Sequence, residues 1–315
     1  MGKLAFVFPG QGSQTVGMGK DLVEAFPEAR AVFDAVDAAL GEKLSTLCFE
    51  GPEDALKLTA NTQPCILTVS AAAAAVLAAR GVKPDLVAGH SLGEYSALGA
   101  AGACTAAEAA RAVRARGTFM QEAVPAGQGA MSAVLGLPPG KIAEICQAIA
   151  AETGEVVSPA NYNEPNQTVI AGAAGAVEKA GVRLKEAGAK RVLPLPVSAP
   201  FHSALMQPVK ARLEPVLRAI AWKAPAVPIV TNVEAKPNSD AARIVPLLVE
   251  QVTASVRWIE CVEELARQGV TRVVEVGPGK VLGGLVKKIA SDVEVLNVED
   301  RASLEKTLAA LGAGA

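Results

Sequence analysis

Ser91 stands at the centre of Gly89-His-Ser-Leu-Gly93, a G-x-S-x-G pentapeptide between an apolar run, Leu86-Val-Ala88, and the helix formers Glu94 to Ala101. In a strand–turn–helix setting this pattern is a nucleophile elbow. The two flanking glycines remove Cβ atoms that would clash in a sharp turn, and the hydroxyl is left exposed above the sheet edge. A serine hydroxyl is a weak nucleophile at neutral pH and needs a base within hydrogen-bond reach. The chain has two histidines, His90 and His202. His90 adjoins Ser91, and in an extended turn neighbouring side chains point to opposite faces, so it is expected to pack or orient the elbow. His202, in Ser198-Ala-Pro-Phe-His-Ser203, is the better base. Acyl transfer also needs donors for an oxyanion. The backbone N–H of Leu92 is one candidate, and the amide of Gln11, in the loop Gly10-Gln-Gly12, is another. On the residues alone, an idle serine in a glycine turn, a structural histidine and a plain strand-ending turn at Gln11 stay open.

The elements that must position these groups alternate. A strand over Lys3–Phe8 runs into the first glycine loop, helical patterns cover 63–80 and 105–124, and short apolar strands are expected at 86–88, 229–231 and 273–276. That alternation argues for an α/β core with a largely parallel sheet. Between about 127 and 196 the rhythm changes. Strand 130–137, helix 141–152, strands 155–161 and 168–171, helix 175–186 and strand 191–195 follow in β-α-β-β-α-β order, the split arrangement of a ferredoxin-like unit. Linker-like flanks, Pro125-Ala-Gly-Gln-Gly129 and Pro194-Leu-Pro196, bound it. The expected fold class is therefore α/β: an α/β-hydrolase-like core (1–126 and 197–315) with a parallel sheet and an inserted ferredoxin-like small subdomain (127–196).

Composition removes several function classes. The 315 residues are 50% hydrophobic, with a formal net charge of −2 and 3% aromatic residues, so neither the basic surface nor the stacking residues of a nucleic-acid binder are present. The longest uncharged run, 58–79, carries Thr59, Asn61, Thr62, Gln63, Pro64, Thr68 and Ser70, so no membrane segment is expected. The apolar stretch Leu4–Phe8 is too short for a signal-peptide core, and cytoplasmic residence is the default. Five scattered cysteines without C-x-x-C argue against a disulfide framework. Two histidines and no H-E-x-x-H make a metal site improbable. Gly10-Gln-Gly12 lacks the third glycine of a dinucleotide loop, and Gly277-Pro-Gly-Lys280 lacks the upstream glycine and the Ser/Thr of a phosphate loop.

Six pieces in order, Phe8-Pro-Gly-Gln-Gly-Ser-Gln14, Gly89-His-Ser-Leu-Gly-Glu-Tyr-Ser96, Arg116-Gly-Thr-Phe-Met-Gln121, Asn161-Tyr-Asn163, His202 and Glu275-Val-Gly-Pro-Gly279, together resemble the malonyl-CoA:acyl-carrier-protein transacylase family. The resemblance covers nearly the whole chain. It implies a ping-pong acyl transfer that feeds fatty acid synthesis. Ser91 would attack the malonyl thioester of coenzyme A with His202 as base. The phosphopantetheine thiol of an acyl carrier protein would then take the malonyl group from the serine. Gln11 and Leu92 would supply the oxyanion amides, and Arg116 would bind the free malonyl carboxylate, a pairing that a planar guanidinium makes bidentately. No metal or redox cofactor is implied. With Arg111 and Arg114 on the same helix, three arginines in six positions more often mean a solvated face, which is the alternative for Arg116 on the residues alone.

No Asp or Glu stands at a recognisable strand end in the order Ser, acid, His. The resemblance implies instead that Gln251-Val-Thr-Ala-Ser-Val-Arg-Trp258 passes the site, with the Gln251 main-chain oxygen accepting the His202 Nδ1 proton. Changes to the Gln251 side chain should then cost much less than losing His202, since the carbonyl survives them. Phe201 is placed to fill the space an α-methyl group would need, and Arg183, Lys185, Lys190 and Arg191 form a basic segment that suits an acidic carrier protein or a solvated helix end. Three other functions remain: a serine hydrolase using water as acceptor, an acyl-loading subunit of a malonate decarboxylase or polyketide system, and a carrier-binding scaffold without turnover.

Overall fold

The computed structural model describes residues 2–197 and 199–313; Ser198, which opens the segment around His202, lies outside them. Six strands form the larger sheet: β1 (Lys3–Phe8), β2 (Leu86–Gly89), β7 (Ile229–Val230), β8 (Pro237–Asn238), β9 (Val270–Val276) and β10 (Glu294–Val298). Their order is β10-β9-β1-β2-β7-β8, with every neighbouring pair parallel except β7 and β8. β1 lies inside the sheet, and its side chains alternate between two cores. Leu4, Phe6 and Phe8 join the larger cluster, Ala5 and Val7 the smaller one on the opposite face. A strand buried on both faces reads as an unbroken apolar run, as this one does.

The helix Thr59–Ala79 fills the larger core. By length and composition it is long and apolar enough to cross a membrane, with a mean hydropathy of 1.6 over its most apolar window, which corrects the expectation that its polar residues exclude this. It is a core helix: Thr62, Gln63, Thr68 and Ser70 are buried along with the apolar positions. Thr62 and Thr68 donate to the backbone carbonyls of Leu56 and Pro64, so their hydroxyls are satisfied without water.

The second sheet contains β3 (Gly129–Leu135), β4 (Val157–Glu164), β5 (Gln167–Ala173) and β6 (Arg191–Pro194), in the order β4-β5-β3-β6 with all pairs antiparallel. The helices Pro139–Thr153 and Ala174–Glu186 lay Ile142, Ile145, Ile149, Val177, Ala180 and Leu184 on one face of it, the i, i+3, i+7 stripe of an amphipathic helix. β4 runs past Asn161 to Glu164, further than its polar sequence suggests. The extension pairs with β5, Tyr162 opposite Thr168 and Glu164 opposite Gln167, and is also held from outside its own sheet: Tyr162 N–H donates to Val256 O at 2.9 Å, and Val256 N–H to Ala160 O at 2.8 Å. These two bonds tie the small sheet to the segment leading from Gln251. β8 and β10 have no strong sequence signature. The first has two residues, and the second is an edge strand with only Val298 buried.

Candidate active site

β2 delivers Ser91 in a left-handed conformation, φ 53°, which an L-residue adopts only under constraint. The glycines make that turn possible. A Cβ on Gly89 would lie 1.9 Å from the Gly93 carbonyl group, and one on Gly93 would lie 2.0 Å from Phe8 O. Asn232, just beyond β7, clamps the turn. Its Oδ1 accepts the Ser91 N–H at 2.7 Å, and its Nδ2 donates to Gly89 O at 2.6 Å.

Ser91 Oγ lies 2.7 Å from His202 Nε2. His202 also has a positive φ, 57°, and is buried. Its Nδ1 faces two main-chain oxygens, Gln251 O at 2.9 Å and Ala254 O at 3.1 Å. Two carbonyl acceptors fix the proton on Nδ1 and leave the Nε2 lone pair directed at the serine hydroxyl. Burial, and after it the charge of Arg116, pulls the imidazole down to about 3, so at neutral pH it is an unprotonated base.

Arg116 rises from the helix Ala106–Glu122 and is 1% exposed. Nη1 donates to Gln63 Oε1 at 2.9 Å, and Nη2 donates to Gln251 Oε1 and to Ser91 Oγ, each at 3.0 Å. Among the described residues it has no ion-pair partner, and its Nε has no acceptor. A buried guanidinium with unfilled donors beside the serine oxygen has the charge and the hydrogens to receive an anion. The two other arginines of the helix point elsewhere: Arg111 donates to Ala39 O, and Arg114 to Ala60 O, Asn61 and Glu42. They do not form one solvated face with Arg116.

Gln11 and Leu92 both line the cavity over Ser91, which has a volume of about 110 Å³. Among the described residues neither backbone N–H meets an acceptor. The Gln11 side chain is turned away, with Nε2 donating to Thr59 Oγ1 at 3.2 Å. Met120, Met131, Leu195, Val197 and Phe201 supply the apolar wall, and a wider cleft of about 700 Å³ adjoins at Leu195 and Val197. His90 makes no bond to Ser91. Its Nε2 meets Asn163 Oδ1 at 2.9 Å, and its ring edge packs on Trp258. In the basic segment, Arg183 pairs with Glu152.

The Gln251 side chain has far more to do than the sequence indicates. It is fully buried, and besides accepting from Arg116 it donates from Nε2 to Glu94 Oε2 at 2.7 Å and to Ser91 O at 3.1 Å. Its substitution therefore breaks several buried hydrogen bonds, a cost that stands even though the main-chain carbonyl on His202 survives. Asn232, Gln63 and Glu94 also escaped the sequence reading of the site. Only Asn232 left a usable signal, as a polar residue at the carboxyl end of a core strand, where open α/β sheets gather ligands. The Glu275 segment is structural: its carboxylate accepts the N–H groups of Leu282 and Gly283 at the start of the helix Val281–Ile289.

The fold and this serine–histidine–arginine site find their class in a family model, acyl transferase domain, which matches residues 5–305, and the chain belongs to that family. Among particular relatives, the malonyl CoA-acyl carrier protein transacylase of Bacillus subtilis (strain 168) is 47% identical over 311 residues, 99% of this chain and 98% of that protein. The crystal structure of an acyl-carrier-protein-S-malonyltransferase from Bartonella henselae superposes with a TM-score of 0.95 at 49% identity, covering 99% of this chain and all of that one. A type II PKS acyl-carrier protein in complex with its malonyl-transacylase gives a TM-score of 0.95 at 46% identity, covering 98% and 99% of the two chains.

Proposed function

We propose that this chain transfers the malonyl group of malonyl-CoA to the phosphopantetheine thiol of an acyl carrier protein, through a malonyl-serine intermediate, in fatty acid synthesis. The observation that carries the reading is Arg116, buried without a carboxylate partner among the described residues and 3.0 Å from Ser91 Oγ, because a malonyl ester at Ser91 brings a carboxylate to that place.

In the forward half, Ser91 Oγ attacks the thioester carbonyl while His202 Nε2 takes its proton, and the backbone N–H groups of Leu92 and Gln11 receive the oxyanion. Collapse of the tetrahedral species breaks the C–S bond, and the proton passes from His202 to the departing sulfur. In the second half the carrier's thiol gives its proton to His202, its sulfur attacks the ester, and Ser91 Oγ leaves with the proton. Thioester, ester and thioester exchange without any redox change, so the reading assigns no metal or redox cofactor. The main-chain oxygens of Gln251 and Ala254 orient the base in place of an acid. Thiols suit this weaker support, since their pKa lies nearer neutrality than that of an amine leaving group.

The strand order β4-β5-β3-β6 with β-α-β-β-α-β succession supports reading 127–196 as a ferredoxin-like subdomain inserted in an α/β-hydrolase-like core (1–126 and 197–315). Five free cysteines suit a reducing cytoplasm.

The test is incubation with malonyl-CoA, with and without carrier protein, followed by mass spectrometry of malonylated carrier and free malonate. Malonylated carrier is expected. Free malonate formed equally fast without carrier would make the protein a hydrolase. In the same assay Arg116→Ala is expected to slow malonyl transfer by about 100-fold, the cost of losing a buried charge partner, and to slow acetyl transfer much less. Phe201→Ser is expected to raise methylmalonyl transfer relative to malonyl, since the ring lines the cavity beside the base. An unchanged ratio would place the α-methyl barrier elsewhere.

A further inference from the structure

The Gln251 amide presents its two ends to different partners. Oε1 meets Arg116, which has only donors, and Nε2 meets Glu94 Oε2, Ser91 O and, at 3.4 Å, Asn232 Oδ1, which are all acceptors. A flipped amide would set donor against donor at Arg116 and acceptor against acceptor at Glu94, within a fully buried site. Glu94 lies in the first turn of the helix Gly93–Ala100 and is 2% exposed. The Oε2 atom that receives Gln251 also receives the Asn232 N–H at 3.1 Å. Gln251 thus stands between Glu94 and Arg116. A carboxylate placed directly on Arg116 would neutralise the charge an anionic acyl group needs, whereas the interposed amide takes one Nη2 hydrogen and leaves the charge unpaired and Nε without an acceptor among the described residues.

We propose that Glu94 is a positioning residue for acyl-group selectivity: by holding Gln251 Nε2 it keeps the Gln251 carbonyl on Arg116 and so fixes the guanidinium plane toward a substrate carboxylate. The inference rests on the reading of Arg116 as carboxylate receptor. With Gln63 on Nη1 and Gln251 on Nη2, the guanidinium has an anchor at each end. Removing the Glu94 acceptor frees one of them.

The readout is the ratio of malonyl to acetyl loading of Ser91, measured on the full chain by quenched-flow intact-protein mass spectrometry with malonyl-CoA and acetyl-CoA. Glu94→Gln keeps an oxygen able to receive both donors, and its ratio is expected within about threefold of the native one. Glu94→Leu removes the acceptor, and its ratio is expected to fall by about tenfold or more. Glu94→Asp is the second arm should the leucine variant not fold: it keeps the charge, withdraws the carboxylate by one methylene and should lose the same selectivity. An unchanged ratio in the leucine and aspartate variants overturns the proposal, including the case where both substrates slow equally, which would make Glu94 a mere support of the elbow. A loss in Glu94→Gln as large as in Glu94→Leu also overturns it. Arg116→Ala separates the two claims. If the ratio survives that change, the reading of Arg116 fails; if it collapses there while the Glu94 variants keep it, only the role of Glu94 fails.

Discussion

Ser91→Ala is expected to abolish formation of a malonyl-enzyme and to lower transfer by about 10⁵-fold or more, since no neighbouring group can replace the nucleophile of a serine–base pair. Among the described residues, the side chains bonded to Ser91 Oγ are His202, the proposed base, and Arg116, which has only donors. Intact-protein mass spectrometry after brief exposure to malonyl-CoA reads the result directly. The variant should fold, because alanine keeps the Cβ and the elbow's clamp, Asn232, bonds the Ser91 backbone and not its hydroxyl. A Ser91→Ala protein that still became malonylated and still passed the group to a carrier would remove Ser91 from the mechanism.

His202→Ala is expected to cost about 10²- to 10⁴-fold, the range for loss of a well-placed general base. The pH profile gives a finer test. A base works only when unprotonated, so a depressed pKa moves the acid fall of activity to lower pH. With His202 held at about 3 in the free enzyme, loading should persist well below the ordinary histidine value of 6.5, where a solvated imidazole would already be protonated. Once malonylated, the acyl carboxylate offsets the Arg116 charge, the second cause of the depression. The acid limb for transfer from the malonyl-enzyme should therefore lie higher than that for loading. Single-turnover rates for each half-reaction from pH 4 to 8 would show this. A loading limb centred near 6.5 would contradict it.

What could be read from the sequence was local. The elbow depends on two glycines and a serine within five positions, the helices on a 3.6-residue period, and β1 on an unbroken apolar run, and all carry their own pattern. The clamp on Ser91 comes from Asn232, 141 positions away, and no local pattern announces such a partner. The Gln251 side chain was undervalued for the same reason, since its bonds reach Ser91, Glu94 and Arg116 across 160, 157 and 135 positions. β4 outran its polar sequence because its last residues pair with β5 and Val256 adds bonds from another part of the chain. The polar residues of Thr59–Ala79 misled because burial on all sides, which periodicity alone does not reveal, lets a helix carry bonded hydroxyls in an apolar core.

Gln251 touches a buried base through its main chain and a buried acid through its side chain, and this pairing fixes how protons move when the chain folds. Burial lowers His202 from 6.5 to about 3 and raises Glu94 from 4.5 to about 7. Between pH 4.5 and 6.5, therefore, the unfolded chain carries a proton on the histidine and none on the glutamate, and the folded chain does the reverse. Taken alone, the histidine makes stability fall as pH drops through 6.5, and the glutamate makes it fall as pH rises from 4.5 toward 7. One proton leaves as one arrives, so the slopes cancel and the pair adds almost no pH dependence across that window. Glu94→Gln removes the arriving proton and should uncover the acid sensitivity of the histidine, seen as a thermal midpoint that drops between pH 6.5 and 5 more steeply than that of the native chain. Equal slopes in the two proteins would contradict the exchange. Over that window His202 stays neutral while an acid one side chain away takes up a proton, so the pair together draws no net proton from solvent.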